Sequence, residues 1–333
     1  MFLRIAWRKC IMSGGVAVAM MMPFAALADG AAPAMPPLEV REIAPGIYVH
    51  QGVHAEASEA NLGGIANVGF VVGTAGVAVI DTGGSHREGA ALLAAIRRVT
   101  SLPVRYVINT HFHPDHILGN DALMPPAGGV APEFIAHANF ARDLAARQET
   151  YLAAARQSLG AAFDGTHIVV PRHLIGRPEE IDLGERVLLL TPYPPAHSDA
   201  DLTVLDTKTG TLFTGDLLFV DRVPAVDGCP GADGSITGWL KAIDILKHVR
   251  ASRAVPGHGP ASVRWPEALK DEQRYLSEIV AATRRELKRN TSLQRAVDTI
   301  DAELRRTERS KWQLFDDYDG RNITAAYTEL EWE

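Results

Sequence analysis

His111-Phe112-His113-Pro114-Asp115-His116 places three imidazoles and a carboxylate within six residues, directly after Val104 to Asn109, an apolar run that predicts a β-strand. Two positions apart at a strand end, His111 and His113 point their rings the same way and make a metal half-site. Asp115 and His116 add a carboxylate oxygen and a third ring, and Pro114 stiffens the loop. Imidazole with carboxylate is a ligand set for zinc, and also for iron or manganese. The bland alternative is a solvated polar loop, which rarely concentrates such groups so densely.

One loop does not close a metal site, so further ligands are expected elsewhere. His197 follows a strand and the stiff Pro194-Pro195 turn. Asp216 follows Thr211 to Gly215 at what reads as a strand end, and His258 sits between Gly257 and Gly259 after a short strand. Taken singly, each has an ordinary reading as a surface histidine or a capping aspartate. Their shared position at strand ends favours the joint reading. Two other residues are candidates for substrate contact. His54, with Glu56, lies in a polar loop that would line the cleft rim. Arg222 follows Asp216 closely and is read either as a guanidinium for a substrate carboxylate or as a surface salt bridge.

Outward from the cluster, Ala66 to Asp81 is a hairpin of β-branched runs around Gly73-Thr74-Ala75-Gly76. Ser85 is positioned to cap a helix running to Val99, with Ala90, Leu93, Ile96 and Val99 on one face. Ile47 to Val53, Phe134 to Ala136, Val187 to Leu190, Leu202 to Asp206, Thr211 to Thr214 and Ala254-Val255 read as further strands. Ala138 to Leu159, Gly238 to Val249 and most of the chain after Trp265 read as helix. This order predicts an α/β (α+β) fold with two mixed sheets face to face and helices outside.

The first 28 residues differ in character. Arg4, Arg8 and Lys9 precede an uncharged apolar run from Ile11 to Leu27, and Ala26-Leu27-Ala28 has the small-x-small pattern of a cleavage site. The expectation is a signal peptide over 1–28, a linker over 29–40, a main domain over 41–264 and a helical extension over 265–333 packed on it. The expected location is periplasmic or secreted. Of 33 Lys+Arg, those three leave with the leader, so the mature chain carries 30 against 40 Asp+Glu. That acidic balance argues against nucleic-acid binding and against a membrane role after cleavage. Cleavage also leaves Cys229 as the single cysteine, so no internal disulfide is expected. There is no G-x-S-x-G elbow, no G-x-G-x-x-G in strand–helix context and no P-loop.

The ordered set Asp81, then His111 to His116, then His197, Asp216 and His258 resembles the signature of the metallo-β-lactamase fold superfamily. The resemblance spans about residues 42 to 262 and implies a four-layer αββα sandwich. It implies that His111, His113 and His197 hold a first metal and that Asp115, His116 and His258 hold a second. Asp216 would bridge both, and Asp81 would orient the loop from behind. The chemistry implied is hydrolysis of a small-molecule ester, thioester or related carbonyl substrate by a hydroxide shared between two zinc ions, with Asp115 and Asp216 as catalytic groups.

A narrower resemblance, to the SoxH-like "quinoprotein relay system" zinc metallohydrolases, rests on Ala66 to Val72, Thr211 to Pro224 and Arg321 to Glu333. It implies a functional link to periplasmic quinoprotein dehydrogenases. Competing readings are a class B β-lactamase-like antibiotic hydrolase, an iron-dependent sulfur dioxygenase of the same fold, and a non-catalytic accessory protein. The bridging position of Asp216 argues against the lactamase, since class B enzymes usually lack that carboxylate. The intact ligand set argues against the accessory protein. The tail aromatics Trp312, Phe315, Tyr318, Tyr327 and Trp332 read as a helical hairpin packing on the domain.

Overall fold

Val77, Ala78, Val79 and Ile80 are all buried, with Val77 and Val79 facing one hydrophobic cluster and Ala78 and Ile80 another. A strand covered on both faces reads as a continuous apolar run, which is why this stretch marks the centre of the fold. The computed structural model describes residues 36–226 and 234–333. The leader, the linker up to residue 35 and Cys229 lie outside the described residues.

One sheet runs in chain order from β1 to β7: β1 (Arg41–Ala44), β2 (Ile47–His50), β3 (Val68–Val72), β4 (Val77–Ile80), β5 (Val104–Ile108), β6 (Glu133–His137) and β7 (His173–Ile175). Its first four strands pair antiparallel and its last four, sharing β4, pair parallel. The other sheet contains β8 (Glu179–Asp182), β9 (Val187–Pro192), β10 (Leu202–Asp206), β11 (Thr211–Phe219), β12 (Arg253–His258) and β13 (Val263–Arg264). It is antiparallel except where β11 meets β12. The inner faces meet in a cluster that includes Val71, Ile80, Ile108 and Ile135 from one sheet and Leu188, Val204, Phe213 and Val255 from the other.

Helices cover the outer faces. Helix α1 (His86–Val99) packs against the first sheet through Leu92 and Ile96, with α2 (Pro114–Ile117) and α3 (Phe140–Leu159) beyond it. Helix α4 (Ile236–Leu246) joins α5 (Leu269–Lys288), α6 (Leu293–Thr307) and α7 (Phe315–Leu330) in one cluster with Leu212, Leu217 and Ala254 of the second sheet. The layers therefore stack helix, sheet, sheet, helix, as the αββα expectation required.

Several local expectations need correction. On α1 the buried residues are Glu88, Gly89, Ala91, Leu92, Ala95 and Ile96, whereas Val99 is 37% exposed and Leu93 only partly buried. Ser85 caps the helix as expected, and the Glu88 carboxyl turns inward to accept the Gly84 backbone N–H at 2.7 Å, so the buried face lies about one position from the one the apolar spacing suggests. The strand containing Asp216 runs on to Phe219, so Asp216 lies inside β11 rather than at its end. Strands β1, β7, β8 and β13 carried too few apolar residues to be recognised. Among the tail aromatics, Trp312 and Phe315 are in the core as expected, but Trp332 is 85% exposed.

Helix α7 is held by a polar anchor as well as by packing. The Glu329 carboxylate accepts from the backbone N–H of Ile236 (2.7 Å) and Thr237 (3.2 Å) and from the hydroxyls of Ser235 and Thr237. A carboxylate at a helix N-terminus satisfies donors that have no partner inside the helix.

Buried Glu88 makes the fold pH-sensitive. Loss of hydration pushes its carboxyl up to about 8, against the opposing pull of the Gly84 hydrogen bond. Unfolded, the same group ionises near pH ~4.3. A raised acid contributes stability that is complete below the unfolded value and is lost as pH rises through the folded one. Glu88→Gln should therefore gain on wild type by up to about 1.4 kcal/mol per pH unit between those limits. Urea midpoints from pH 5 to 9 measure this; parallel pH profiles for the two proteins would rule it out.

Candidate metal centre

Three strand ends set the rings of the cluster. Beyond β5, Asn109 and Thr110 lead to His111, and Pro114 opens α2 at a position where its missing N–H costs nothing, which brings Asp115 and His116 round one short turn. His197 comes from the β9–β10 connection, where Asp201 accepts from the Ser198 backbone N–H and hydroxyl at 2.8 and 2.7 Å. His258 ends β12. Asp216 enters through a break in β11: Gly215 has φ +51°, and the register with β12 shifts on either side of it. Gly257 lies so close that a Cβ there would collide with Asp216 Oδ1.

The side chains converge in two groups. The ligand atoms of His111, His113, His197 and Asp216 lie within 4.8 Å of one another, as do those of Asp115, His116 and His258. The Asp216 carboxylate stands between them. Its Oδ1 is 3.1 Å from His116 Nε2, and its Oδ2 is 3.3, 3.4 and 3.7 Å from Nε2 of His197, His258 and His111. Asp115 Oδ2 is 3.3 Å from His258 Nε2 and 3.7 Å from His116 Nε2.

The outward nitrogens are anchored. His116 Nδ1 faces Asp81 Oδ2 at 2.8 Å, His197 Nδ1 faces the Ala225 carbonyl at 3.0 Å, and His258 Nδ1 faces the Ile65 carbonyl at 2.8 Å. The Thr110 hydroxyl donates to Asp81 at 2.7 Å, leaving its oxygen to accept from His111 Nδ1 at 3.1 Å. These partners favour the Nδ1–H tautomer in His111, His116, His197 and His258 and turn Nε2 inward, as metal ligation uses it, whereas His113 turns its Nδ1 toward His197 Nε2 at 2.9 Å. Buried His111 Nε2, His116 Nε2 and Asp216 Oδ1 make no hydrogen bond. Inward lone pairs left without protons to bind are expensive unless a cation takes them, so the donor set fits metal ions.

The electrostatics agree for His111 and Asp216. At His116 burial pulls the ring down, but Asp216, Asp115 and Asp81 outweigh it and hold it well above the ordinary histidine range, so that a metal would have to displace a proton there. Burial, then neighbouring His116, holds His111 well below the ordinary histidine range, so it is a neutral ring. Burial pushes the Asp216 carboxyl up, but His258, His116, His111 and His197 outweigh it and hold it well below the usual range, so it is an anion.

Asp81 sits behind the ligands, with φ +55°, and accepts from the Thr110 N–H (2.8 Å) and hydroxyl as well as from His116. Arg222 reaches the site but is buried, at 3% exposure, rather than forming a surface salt bridge. His54 is half-buried, lowered by loss of hydration, and does not line the cavity. That cavity, about 880 Å³, is bounded by His113, Asp115, His197, Asp216 and His258 on one side and by Tyr318, Arg321 and Thr324 of α7 on the other. The contribution of α7 was not foreseen. Nothing in its spacing separates a core-facing tyrosine from one that faces a cleft.

The family model described as "Metallo-beta-lactamase superfamily" matches residues 62–258. A curated linear primary-alkylsulfatase from Pseudomonas sp. (strain ATCC 19151) is 39% identical over 49 residues, 15% of this chain and 9% of that protein. The structure of a stereoselective inverting sec-alkylsulfatase, Pisa1 from Pseudomonas sp., superposes with TM-score 0.66 at 18% identity, over 88% of this chain and 50% of its own. A metallo-beta-lactamase from Pontibacter korlensis superposes with TM-score 0.56 at 20% identity, over 72% of this chain and 99% of its own. The chain thus spans about half the sulfatase structure and a small part of the curated relative. At these identities the structural likeness speaks for the fold alone.

Proposed function

This chain belongs to the metallo-beta-lactamase superfamily and is a hydrolase of that family, and from that premise we propose that it is an exported dinuclear zinc enzyme acting on an ester, thioester or related carbonyl substrate. The observation that carries the reading is the Asp216 carboxylate, which lies within 3.1–3.7 Å of one ring or more from each His/Asp group. One cation would be held by His111, His113, His197 and Asp216, and the other by Asp115, His116, His258 and the same Asp216. Bound in this way, two divalent ions supply Lewis acidity and acidify water toward neutrality.

The protein's own groups do the rest. Asp81 and the Ile65 and Ala225 carbonyls hold ring tautomers. Asp115 is the most open of the site's acids, with a side chain 17% exposed against 4% for Asp216 and 2% for Asp81. It is placed to take a proton from the nucleophile and return it to the leaving group. Phe219 stacks on His258, with centroids 4.9 Å apart and planes at 17°, and keeps water from that side of the ring.

Export follows from the leader, and the narrower resemblance suggests work alongside periplasmic quinoprotein dehydrogenases. A second reading, sulfate-ester hydrolysis, is suggested by the curated alkylsulfatase that shares a 49-residue stretch at 39% identity. Metal analysis of the purified chain, with turnover of matched thioester, carboxylic ester, lactone, β-lactam and alkyl sulfate substrates, tests both. About two zinc ions per chain and thioester or ester turnover are expected. Less than one metal per chain under zinc-replete conditions would sink the dinuclear reading, and turnover of the alkyl sulfate alone would favour the second.

A further inference from the structure

Arg222 is buried to 3% exposure at the cavity wall, yet no carboxylate among the described residues pairs with it and its Nε has no hydrogen-bond partner. Its Nη2 donates to Tyr318 Oη at 3.2 Å, and its Nη1 lies 3.0 Å from His258 Nδ1. The second contact is no acceptor in the metal-ready tautomer, because there His258 Nδ1 carries the proton given to the Ile65 carbonyl. A guanidinium has five N–H donors and never deprotonates. This one is left with a single neutral oxygen, an arrangement that is strongly unfavourable unless an anion joins it.

A second cation stands nearby on another element. Arg321, exposed and one turn beyond Tyr318 on α7, lies 5.2 Å from the Tyr318 ring centroid, while Arg222 lies 5.5 Å from it. All three residues line the cavity that holds His113, Asp115 and Asp216. The acids nearby make no direct ion pair with either arginine among the described residues, and Glu56 reaches Arg222 only through Tyr318 Oη. Asp316 is bound to Arg305 and Arg309, and Asp317 makes no ion pair with either arginine among the described residues.

The placement is rigid. Val223 N–H donates to the Gln313 carbonyl at 3.1 Å and Gln313 N–H to the Asp221 carbonyl at 2.7 Å, so the backbone on each side of Arg222 is tied to the entry of α7. Tyr318 Oη in turn donates to Glu56 at 2.6 Å. A pre-set guanidinium that need not reorganise is suited to oxyanion recognition.

We infer that Arg222 and Arg321, with Tyr318 between them, form a subsite for one anionic group of the substrate, a carboxylate or a sulfate, so that the enzyme acts on a negatively charged substrate. This rests on the hydrolytic reading above. No bond changes at the subsite itself. It seats the anion at the cavity wall beside His258, with the rest of the molecule directed into the cavity.

Calorimetric titration of the protein as purified, with hexanoate, hexyl sulfate and hexan-1-ol, tests the subsite directly. The anions should bind and the alcohol should bind at least about tenfold more weakly. Arg321→Ala should weaken anion binding about fivefold or more, and Arg222→Met about tenfold or more, with metal content unchanged. The preferred anion tells carboxylate from sulfate. Anion affinity within twofold of wild type in Arg321→Ala, or hexan-1-ol binding as tightly as the anions, overturns the proposal. Arg321 is exposed, so its variant decides the matter even if Arg222→Met fails to fold. Wild-type protein that binds the anions but carries no metal and turns over no ester would defeat the hydrolytic reading instead.

Discussion

Asp216→Asn is expected to lower turnover by at least about 10²-fold and to reduce bound metal below two ions per chain. The magnitude is a floor, since even residues that only orient metal ligands cost 10–100-fold when changed. Asparagine keeps the shape of the side chain in the confined space against Gly257, so the fold should survive and the loss should report charge. The carboxylate faces Nε2 of His111, His116, His197 and His258, all within 3.7 Å. A neutral amide in its place would turn an N–H toward at least one of those bare nitrogens and could not balance two cations. Elemental analysis and kcat/KM measured together give the answer. A variant that keeps both metals and stays within tenfold of wild-type turnover would falsify the bridging role.

Asp81→Ala should be the most damaging change outside the ligands themselves. Asp81 is 2% exposed and accepts from the Thr110 N–H, the Thr110 hydroxyl and His116. Truncation strands three buried donors at once, and places alanine at φ +55°, a conformation that aspartate and asparagine tolerate better. Leaving a buried donor without its acceptor typically costs about 1–3 kcal/mol, and more where the acceptor was charged. With His116 unanchored, metal affinity should fall about 10–100-fold as well. Asp81→Asn should recover part of the stability, because it keeps one acceptor oxygen and suits the backbone angle, but less of the metal affinity, because its amide cannot polarise His116 Nδ1–H. Denaturant midpoints and competitive metal titration of both variants separate the two effects. Equal metal affinity in wild type and Asp81→Ala would remove Asp81 from the site.

Much of the centre was legible because strand ends leave a local mark. An apolar run closed by a polar residue, a proline or a glycine shows where a strand stops, and His111, His197 and His258 each come after such a run. Asp216 was found by the same mark though its position was misread, because a strand that continues through a glycine break looks from the sequence like one that stops there. The rotation of α1 was misjudged for a related reason. In Ala-rich segments two faces have nearly equal apolar content, and the contact from Glu88 to the Gly84 N–H is a buried polar one that hydrophobic spacing does not reveal.

The order and chemical type of the candidate ligands, the two-sheet architecture and the acidic character of the chain are properties of the sequence alone. They depend on residue identity and local periodicity, which the chain carries without folding. What closes the cavity was decided only in three dimensions. Tyr318 and Arg321 lie about a hundred residues from Arg222, and their meeting depends on the Glu329 anchor, the Gln313 bridge and the packing of α7 against α5 and α6. Pairwise contacts across that separation leave no period or motif in the chain, because any helix with one apolar face could dock there. Only the docking itself turns an ordinary tail tyrosine and two arginines into one wall of the cavity.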